Sequence, residues 1–592
     1  MAQAQDLEKL RGDHKMKLSQ ILKRSWKYVK KEIGWIIFAL FFIGINVGLD
    51  VVLPLLVKYF MECLDDANIV NTTVNMLIWI AAGHLGIAIT GQVVLYFQSI
   101  ILQKSGQRIV YRLRMEVFTH IENMSQNQFN EMPVGSLVTR VANYTASMSD
   151  LFTDVLVNLL RNLLTVIIVF IIMLALSPKL SLFLLGFTLL AGVISYVFGH
   201  IIGKIFRKER QYISDLNTFL SENLSGMKII QVFNQEERKR KEFAEKNWRL
   251  RRARYNVILA FACYRPTINL LYYGAIATTF GAGLALALSS AEIVAFYLYL
   301  SKFFNPIQNI ADQVNNIQRA ITACERLYNL LDVEPEVIDK PDAIEIERFQ
   351  GKIEFKNVWF AYEDENWILK DVSFVVNPKE TVAFVGATGA GKTTILSLIV
   401  RNYEIQKGQI LIDDVDITHI KVDSIRKAVG QMLQDVFLFS GTIRTNITLH
   451  DEDISDKEVM KACDYVNASS FINNLPKKLD EEVIERGENF SAGQRQLLSF
   501  ARCVVHDPQI LILDEATANI DTETEVVIQD SLEKIKNIGT MLVVAHRLST
   551  IQHADNIIVL QNGEIIEQGN HQQLLKNKGH YYKLYQLQFE NK

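Results

Sequence analysis

The sequence predicts a two-part fold, an α-helical membrane domain followed by an α/β domain. Six apolar stretches in the first half are long enough, or nearly so, to cross a bilayer. From about Ile344 onward, strand-like and helix-like segments alternate, which is typical of a parallel or mixed sheet. A glycine-rich turn, Gly386–Thr393, lies between an apolar strand and an apolar helix in this half. We therefore expect residues 1–335 to form the membrane domain and residues 344–592 the α/β domain.

The bulk properties agree with a membrane protein of several domains. A chain of 592 residues is too long for a single core, and 49% of its residues are hydrophobic. The five cysteines are scattered and contain no Cys-x-x-Cys pair, so neither a zinc site nor a disulfide framework is predicted. The net charge of −3 argues neither for nor against a nucleic-acid partner. The polar, charged N-terminus up to Lys31 predicts no cleavable signal peptide.

Each of the six spans is predominantly apolar. A buried helix of a soluble protein is the alternative interpretation of any one of them, but six in succession make that alternative untenable for the set. The predicted spans are Trp35–Phe60, Val74–Gln98, Asn158–Leu176, Ser181–Gly203, Thr267–Leu288 and Ile293–Ile307.

The connections between the spans predict the orientation in the membrane. The first, third and fifth connections are short, whereas Ile101–Leu151 and Lys204–Asn256 are long. Lysine and arginine are concentrated in the N-terminal arm and in the second of these long loops, while the first short loop is acidic. Positive charge marks the cytoplasmic side. We therefore expect a multi-pass protein of the cytoplasmic membrane, with both termini and both long loops in the cytoplasm.

Two kinds of helix are predicted outside the spans. Residues 17–29 mix apolar and basic side chains at helical spacing, which favours a helix on the inner membrane surface, near anionic lipid head groups, over a solvated arm. The long cytoplasmic loops also carry apolar residues at helical spacing, as between Phe219 and Ile230. They are predicted to be helices that continue out of the membrane.

Ionisable side chains within or beside the spans are candidate functional residues because they are costly in a bilayer. Asp50 interrupts a strongly apolar run, and both a substrate contact and a structural ion pair remain open for it. For Arg161, Arg265 and Lys302, structural or interfacial roles are favoured. Spans one, five and six would line a substrate path, with Asp50 from span one and aromatic residues from spans five and six, unless those aromatics only pack between helices. These aromatics are Tyr272, Tyr273, Phe296, Tyr297 and Tyr299.

The glycine-rich turn fits a phosphate-binding loop, a glycine, four residues and then Gly-Lys-Thr. It follows the predicted strand Thr381–Val385 and precedes an apolar helix around Ile395–Val400. Its backbone N–H groups and the helix N-terminus would face phosphate oxygens. Lys392 would reach the β- and γ-phosphates, and the Thr393 hydroxyl would hold Mg²⁺.

Two further strands end in residues suited to nucleotide hydrolysis. The apolar run Ile510–Leu513 leads into Asp514 and Glu515, where Asp514 would hold Mg²⁺ through its water shell and Glu515 would act as general base. The run Met541–Ala545 leads into His546, which would contact the γ-phosphate and orient the attacking water. A lone histidine is more often structural, but its position after this strand favours the catalytic role.

In their order along the chain, these motifs resemble those of ATP-binding cassette proteins. Six spans followed by one cassette are similar to an exporter half-transporter, which implies a P-loop domain with a helical subdomain. The resemblance assigns ATP-site roles to Tyr362, Gly386, Ala387, Thr388, Gly389, Ala390, Gly391, Lys392, Thr393, Thr394, Gln434, Phe490, Ser491, Ala492, Gly493, Gln494, Asp514, Glu515, Asp521 and His546.

The resemblance also implies how these residues act. Two chains would pair and hold two ATP molecules between their cassettes, each ATP touching the phosphate loop of one cassette and the signature segment of the other. Tyr362 would stack on adenine, and Gln434 would sense Mg²⁺ and the attacking water and be a catalytic residue with Glu515 and His546. Short coupling helices would lie near Gly135–Asn143 and Leu220–Gly226.

The signature segment departs from the family pattern Leu-Ser-Gly-Gly-Gln at two positions, Phe490 and Ala492. A Cβ at position 492 could crowd the close backbone approach that glycine allows, whereas Glu515 is present. This combination resembles one subunit of bacterial heterodimeric multidrug exporters. The partner would then be a different chain with a regular signature and a degenerate catalytic glutamate; the alternative is a homodimer that tolerates Ala492.

The sequence therefore predicts an ATPase that exports hydrophobic or amphipathic compounds by alternating access, with ATP and Mg²⁺ as cofactors. A lipid or peptide exporter and an ATP-gated channel or regulatory subunit are the alternatives. The expected partners are a second half-transporter, a small hydrophobic substrate and membrane lipids. A soluble ATPase acting on nucleic acid is excluded by the six spans. No short motif identifies the transported molecule, because pockets for hydrophobic compounds make diffuse contacts.

Overall fold

The fold is described from a computed structural model, which covers residues 16–65, 73–363, 366–432, 436–514, 522–544 and 551–589. The chain forms two compact units. The first contains residues 1–120 and 134–333, and the second contains residues 121–133 and 334–592.

The first unit consists of helices, several of which are long. Between them lie a 3₁₀ turn, Lys30–Glu32, and two π-helical turns, Arg140–Tyr144 and Leu151–Val155. The helices are α1 (Leu18–Val29), α2 (Ile33–Asp65), α3 (Thr73–Glu122), α5 (Val134–Thr139), α6 (Thr145–Asp150), α7 (Leu156–Leu176), α8 (Pro178–Ser225), α9 (Met227–Val232), α10 (Glu236–Ala285) and α11 (Ser290–Leu331); α4 (Gln126–Asn130) belongs to the second unit.

Five of these helices, each of 33 residues or more, are longer than a bilayer is thick. Helices α3 and α10 have 50 residues each, and at about 1.5 Å per residue each extends roughly 75 Å against an apolar core of about 30 Å. The predicted continuation of the spans as helices is thereby confirmed. Among the described residues, five helices are long and apolar enough to cross a membrane. The sixth predicted span lies within α11, where several side chains between 307 and 315 are outside the described part.

The membrane domain packs in two groups of helices. Helices α2, α7 and α11 contact one another, and α8 packs along α10. Phe296 and Tyr299 are fully buried in the apolar core of this domain, and the Tyr299 hydroxyl donates to the Val51 carbonyl at 2.6 Å. These two aromatics therefore serve packing, whereas Tyr273 and Tyr297 are 66% and 41% exposed.

The ionisable residues of the spans have identifiable neighbours. Lys302 Nζ lies 2.6 Å from Asp50 Oδ1 and joins α11 to α2, so Asp50 forms the structural ion pair that the sequence left open. The guanidinium of Arg161 donates to Asn46 Oδ1 at 3.0 Å. Arg265 lies over the ring of Phe261 at 6.0 Å.

Helix α1 is held against the end of α11. Ile21 and Ser25 are fully buried on its inner face, and the Ser25 and Tyr328 hydroxyls lie 2.7 Å apart. Arg24 forms an ion pair with Asp332 and lies over the Tyr328 ring at 4.7 Å. Two lysines of α1, Lys23 and Lys27, lie on its exposed side.

The second unit alternates strands and helices as predicted. Its elements are β1 (Ile353–Ala361), β2 (Trp367–Val376), β3 (Thr381–Val385), α12 (Lys392–Ile399), β4 (Lys407–Ile412), β5 (Val415–Asp416), α13 (Val422–Ala428), β6 (Val429–Met432), β7 (Gly441–Thr442), α14 (Ile443–Thr448), α15 (Asp456–Tyr465), α16 (Ser469–Ile472), β8 (Glu482–Val483), α17 (Ala492–Val505), β9 (Ile510–Asp514), α18 (Thr522–Ile535), β10 (Thr540–Val544), β11 (Asn556–Gln561), β12 (Glu564–Gly569), α19 (His571–Asn577) and α20 (His580–Phe589).

The main sheet of this unit has six strands in the order β12-β11-β3-β10-β9-β6. All neighbouring pairs are parallel except β11 and β12, so the sheet is mixed. Strands β3 and β10 are buried along their full length, because apolar layers cover both faces of the sheet. A second sheet, β2-β1-β4-β5, is antiparallel.

The first position predicted for a coupling helix, Gly135–Asn143, contains most of the short helix α5 and part of the π-helical turn after it. The second, Leu220–Gly226, contains the end of the long helix α8. Two more short helices lie beside these positions. The first, α4, precedes Gly135 and is started by a capping box in which Ser125 and Gln128 satisfy each other's backbone N–H groups. The second, α9, begins just after Gly226, where the long helix α8 ends. The coupling role of the short helices remains a prediction.

Candidate nucleotide site

The strands that carry the predicted site residues end at one edge of the main sheet. Phe384 of β3 pairs with Val544 of β10, and Val544 pairs with Asp514 of β9. On the far side of β9, Met432 of β6 pairs with Leu513. Because all four strands are parallel, the segments that follow them leave the sheet on the same side.

The loop after β3 has the backbone of a phosphate cradle. Gly389 and Gly391 have φ angles of 84° and 101°, which side chains with a Cβ rarely adopt. A Cβ at Gly391 would also lie 2.6 Å from Leu369 Cδ2, whereas one at Gly389 would meet no atom within 4 Å. The loop is thus packed on one side and open on the other, as a bound phosphate chain requires.

Lys392 begins α12 and is 6% exposed. Its Nζ donates to the carbonyl oxygens of Gly386 and Ala387 at 2.8 and 3.0 Å, so the ammonium lies within the curl of the loop. The eight-residue helix behind it presents its N-terminus to the same place. The described part of the loop therefore has the positive charge and the backbone curl that suit the phosphates of a nucleoside triphosphate.

Tyr362 lies beside this loop although it comes from the end of β1. Its hydroxyl is 3.0 Å from Thr394 Oγ1, and its ring makes an edge contact with Tyr403 at 5.2 Å. The fold therefore brings the residue predicted to stack on adenine to the first turn of α12. The stacking itself remains a prediction.

Two oxygen ligands suited to Mg²⁺ are present at this edge. The Thr393 side chain is exposed in the first turn of α12, and Asp514 is half-buried at the end of β9. Within the described ranges, no group of three or more His, Cys, Asp or Glu residues could hold a metal ion. Mg²⁺ prefers phosphate oxygens and water to a cage made only of protein ligands, and its binding by Thr393 and Asp514 remains a prediction.

The signature segment forms the start of α17. Ser491 caps the helix, since its Oγ accepts from the N–H of Gln494 while the Gln494 side chain accepts from the N–H of Ser491. Phe490 is buried and packs against Phe471, whereas Ala492 is exposed and Gly493 is buried. Phe490 is thus a core residue of this helical region, and Ala492 is the substitution that faces outward.

Four predicted residues, Gln434, Glu515, Asp521 and His546, lie outside the described residues. The last described residues before Gln434, Glu515 and His546 are Met432, Asp514 and Val544, which belong to the aligned strand ends. The roles of these four residues remain predictions.

The sequence did not identify Arg401, although it is 1% exposed at the end of α12. Its guanidinium donates to Asp339 Oδ1 and Glu404 Oε1 and to the carbonyls of Ile338 and Ile420, at distances between 2.9 and 3.2 Å. Nothing in the local pattern sets this arginine apart from exposed ones. Only the long-range contact with residues 338 and 339 shows its role.

Comparison with known proteins supports the assignment of the first half as a membrane domain and of the second half as a nucleotide-binding domain. A family model described as the ABC transporter transmembrane region matches residues 36–307. A second model, described as ABC transporter, matches residues 369–518.

Individual proteins match along most of the chain. A probable multidrug resistance ABC transporter ATP-binding/permease protein of Bacillus subtilis is 38% identical over 83% of this chain and 74% of its own. An ATP-dependent lipid A-core flippase of Syntrophus aciditrophicus is 34% identical over 89% and 88% of the two chains. The solved structure of a bacterial Atm1-family ABC exporter with ATP bound superposes with a TM-score of 0.80 at 25% identity, over 95% of this chain and 98% of that one.

Proposed function

The chain belongs to the ABC transporters, as an exporter half-transporter whose cassette is an ATPase coupled to transport, and from this premise we propose that it exports hydrophobic or amphipathic compounds of the multidrug type as one half of a heterodimer. The proposal rests on one observation. The same chain contains apolar helices that are long enough to cross a membrane and a phosphate cradle at the aligned strand ends. The cassette would take its energy from ATP bound with Mg²⁺.

The described residues supply defined parts of the ATP site. The backbone of Gly386–Gly391 and the Lys392 ammonium bind and neutralise phosphate, while Thr393 and Asp514 offer oxygen ligands. Mg²⁺, when bound, would neutralise charge that develops on the phosphate oxygens. Glu515 is proposed to accept a proton from the attacking water, and His546 to orient that water.

Alternating access links this hydrolysis to export. ATP held between two cassettes would favour their closed pairing and an outward-open membrane cavity, and hydrolysis would restore the inward-open state. The cassette and both termini are proposed to lie in the cytoplasm, on the basis of the concentration of Lys and Arg in the N-terminal arm and in the loop Lys204–Asn256.

Lipid export is the second candidate function. It is favoured by the match to a protein named as a lipid A-core flippase, while the multidrug proposal is favoured by the match to a protein named for multidrug resistance. The two candidates share one mechanism and differ only in the transported molecule.

Transport into inside-out membrane vesicles tests the proposal. Vesicles that contain the chain and its partner should accumulate a lipophilic dye against its gradient when ATP is added, and vesicles with the Glu515→Gln variant should not. ATP-dependent flipping of a fluorescent lipid without dye uptake would favour the lipid candidate. Passive ion flux opened by ATP, with no concentrative uptake of either probe, would contradict an exporter.

A further inference from the structure

A polar cavity of about 600 Å³ lies inside the membrane domain. It is bounded by α3, by the segment from α6 to the start of α7, and by α11. Cavities of roughly 300–1,000 Å³ are typical of sites for small molecules. Its described lining residues all belong to the first compact unit.

The cavity wall carries charges of both signs. Asp150 and Asp154 contribute carboxylates, and Arg161 and Arg319 contribute guanidinium groups. In the described part of the chain, none of the four is in an ion pair: Asp154, Arg161 and Arg319 are hydrogen-bonded to the neutral amides of Asn158, Asn46 and Asn316. Asp150, Asp154 and Arg319 are exposed and Arg161 is half-buried, so a ligand in the cavity can reach all four charged groups. Two unpaired charges of each sign on one wall are therefore suited to a ligand with both charges.

A buried amide in the same wall also lacks a partner. Gln98 of α3 is 5% exposed and lines the cavity, and its Oε1 has no hydrogen-bond partner among the described residues. An unsatisfied buried acceptor costs about 1–3 kcal/mol. The oxygen is available to a donor such as an ammonium or hydroxyl group within the cavity.

The backbone at this wall is irregular. Leu151–Val155 forms a π-helical turn, and its residues Thr153, Asp154 and Val155 line the cavity. Single π turns inside α-helices are rare and are frequently found at functional sites. Asp150, which directly precedes this turn, and Asp154 within it both line the cavity.

We propose that this cavity binds the zwitterionic head of an amphiphile, which narrows the substrate class of the exporter proposed above and rests on that function. Asp150, Asp154 and Gln98 Oε1 receive the cationic end of the head. Arg161 and Arg319 receive its anionic end. The apolar part of the ligand lies against the apolar lining of the same cavity, which includes Leu95, Leu102 and Val157.

Binding to the purified full-length chain tests this proposal without ATP and without transport. Three probes of equal chain length are titrated: a lysophosphatidylethanolamine, which is zwitterionic, an anionic lysophosphatidylglycerol and a cationic alkyltrimethylammonium. The zwitterion is expected to bind about tenfold more tightly than either singly charged probe, as one additional charge-assisted contact allows. Equal affinity for the three probes would overturn the proposal.

Variants of the wall provide the more specific test. The double variant Asp150→Asn/Asp154→Asn should lose most of its preference for the zwitterion over the anionic probe. The Arg319→Gln variant should lose most of its preference for the zwitterion over the cationic probe. Arg161→Gln is the second basic variant, and Lys204→Gln, an exposed cation outside the cavity, should change none of the three affinities. An equal loss for all probes in every wall variant would indicate a structural role and contradict the proposal.

Two further probes separate the sources of such a head group. Tighter binding of a two-chain phosphatidylethanolamine assigns the cavity to membrane lipid, and tighter binding of a zwitterionic rhodamine assigns it to foreign compounds; both outcomes support the zwitterion site. Because these measurements use no ATP, loss of probe selectivity contradicts the cavity assignment alone, whereas absence of ATP-driven uptake in vesicles contradicts the exporter function alone.

Discussion

Arg401 shows what a single buried charge does in the cassette. It lies at the end of the helix that begins with Lys392, and it holds residues 338 and 339, which follow the last helix of the membrane domain in sequence. Its partners Asp339 and Glu404 are only partly buried. The carbonyls of Ile338 and Ile420 have the guanidinium as a donor, so the arginine ties this segment to the phosphate-loop helix.

Replacing Arg401 by methionine should lower the stability of the cassette by about 2–4 kcal/mol, because two carbonyls and two carboxylates lose their donor. The thermal unfolding midpoint of the full-length protein measures the effect. Arg348→Ala is the matched control: it removes an exposed arginine that pairs with an exposed Asp507, and it should change stability by less than about 0.5 kcal/mol. Equal shifts of the unfolding midpoint in the two variants would show that buried Arg401 contributes no more to stability than the exposed Arg348 does.

The catalytic assignment predicts opposite outcomes at two residues. Glu515→Gln should reduce ATP turnover by about 100-fold or more while ATP binding survives, since an amide cannot accept the proton of water. Lys392→Ala should weaken ATP binding by about 10- to 100-fold, because the buried ammonium is lost from the loop. Nucleotide binding and phosphate release are measured separately. Near-normal hydrolysis by the Glu515 variant would show that another group is the base.

At the scale of elements, strands and spans could be predicted because their signal is local. The apolar runs before Gly386 and before Asp514 match β3 and β9, and the motif loops follow directly from them. Helix ends that are set by caps were harder to predict from the sequence, because Ser125 and Gln128 act through two hydrogen bonds within four residues. The pairing of Asp50 with Lys302 could not be predicted, because 252 residues separate them in the sequence.

At the start of α17, the effect of Ser491 on helix stability can be measured separately from its proposed contact with nucleotide. Ser491→Ala should lower stability by about 1 kcal/mol through loss of the cap, and it should also reduce ATPase activity of the assembled transporter. Ser455 makes the same kind of capping box with Glu458 at the start of α15. Ser455→Ala should therefore match the loss of stability and leave ATPase activity intact. Equal activity of the two variants would remove Ser491 from the proposed site.

The ion pair between α2 and α11 predicts coupling between its two residues. Asp50→Asn and Lys302→Met should each lower the unfolding midpoint in detergent, because each leaves a charge without its partner in the membrane domain. The double variant should recover part of the loss, with a coupling energy of about 1 kcal/mol or more. Additive losses would show that the pair contributes nothing to the packing of these helices.

For the whole molecule, the predicted asymmetry of the two ATP sites follows from two features of this chain. Its phosphate loop and Asp514 are arranged for binding, whereas Ala492 places a methyl group on the exposed start of α17. In a pair with a chain that has a regular signature, the two sites would differ in rate. This proposal concerns the assembly and not the fold of either unit.

Affinity purification of this chain from its native membrane should therefore recover a different half-transporter chain in equal amount, with a regular signature and no catalytic glutamate. The pair should hydrolyse ATP with one fast and one slow site, as measured by nucleotide trapping. Ala492→Gly should speed only the slow site, since the signature of this chain lies there. A stable homodimer with full drug-stimulated ATPase activity would contradict the asymmetry.

The position of α4 in the second unit has a consequence for the time course of synthesis. The Gln128 amide donates to the Glu334 carbonyl at 2.7 Å, and these residues are 206 apart in the chain. At a synthesis rate of about 5–20 residues per second, the short helix waits roughly 10 to 40 s on the ribosome before its partner segment exists. The cassette therefore cannot complete its own unit until the membrane helices between 134 and 333 have been made.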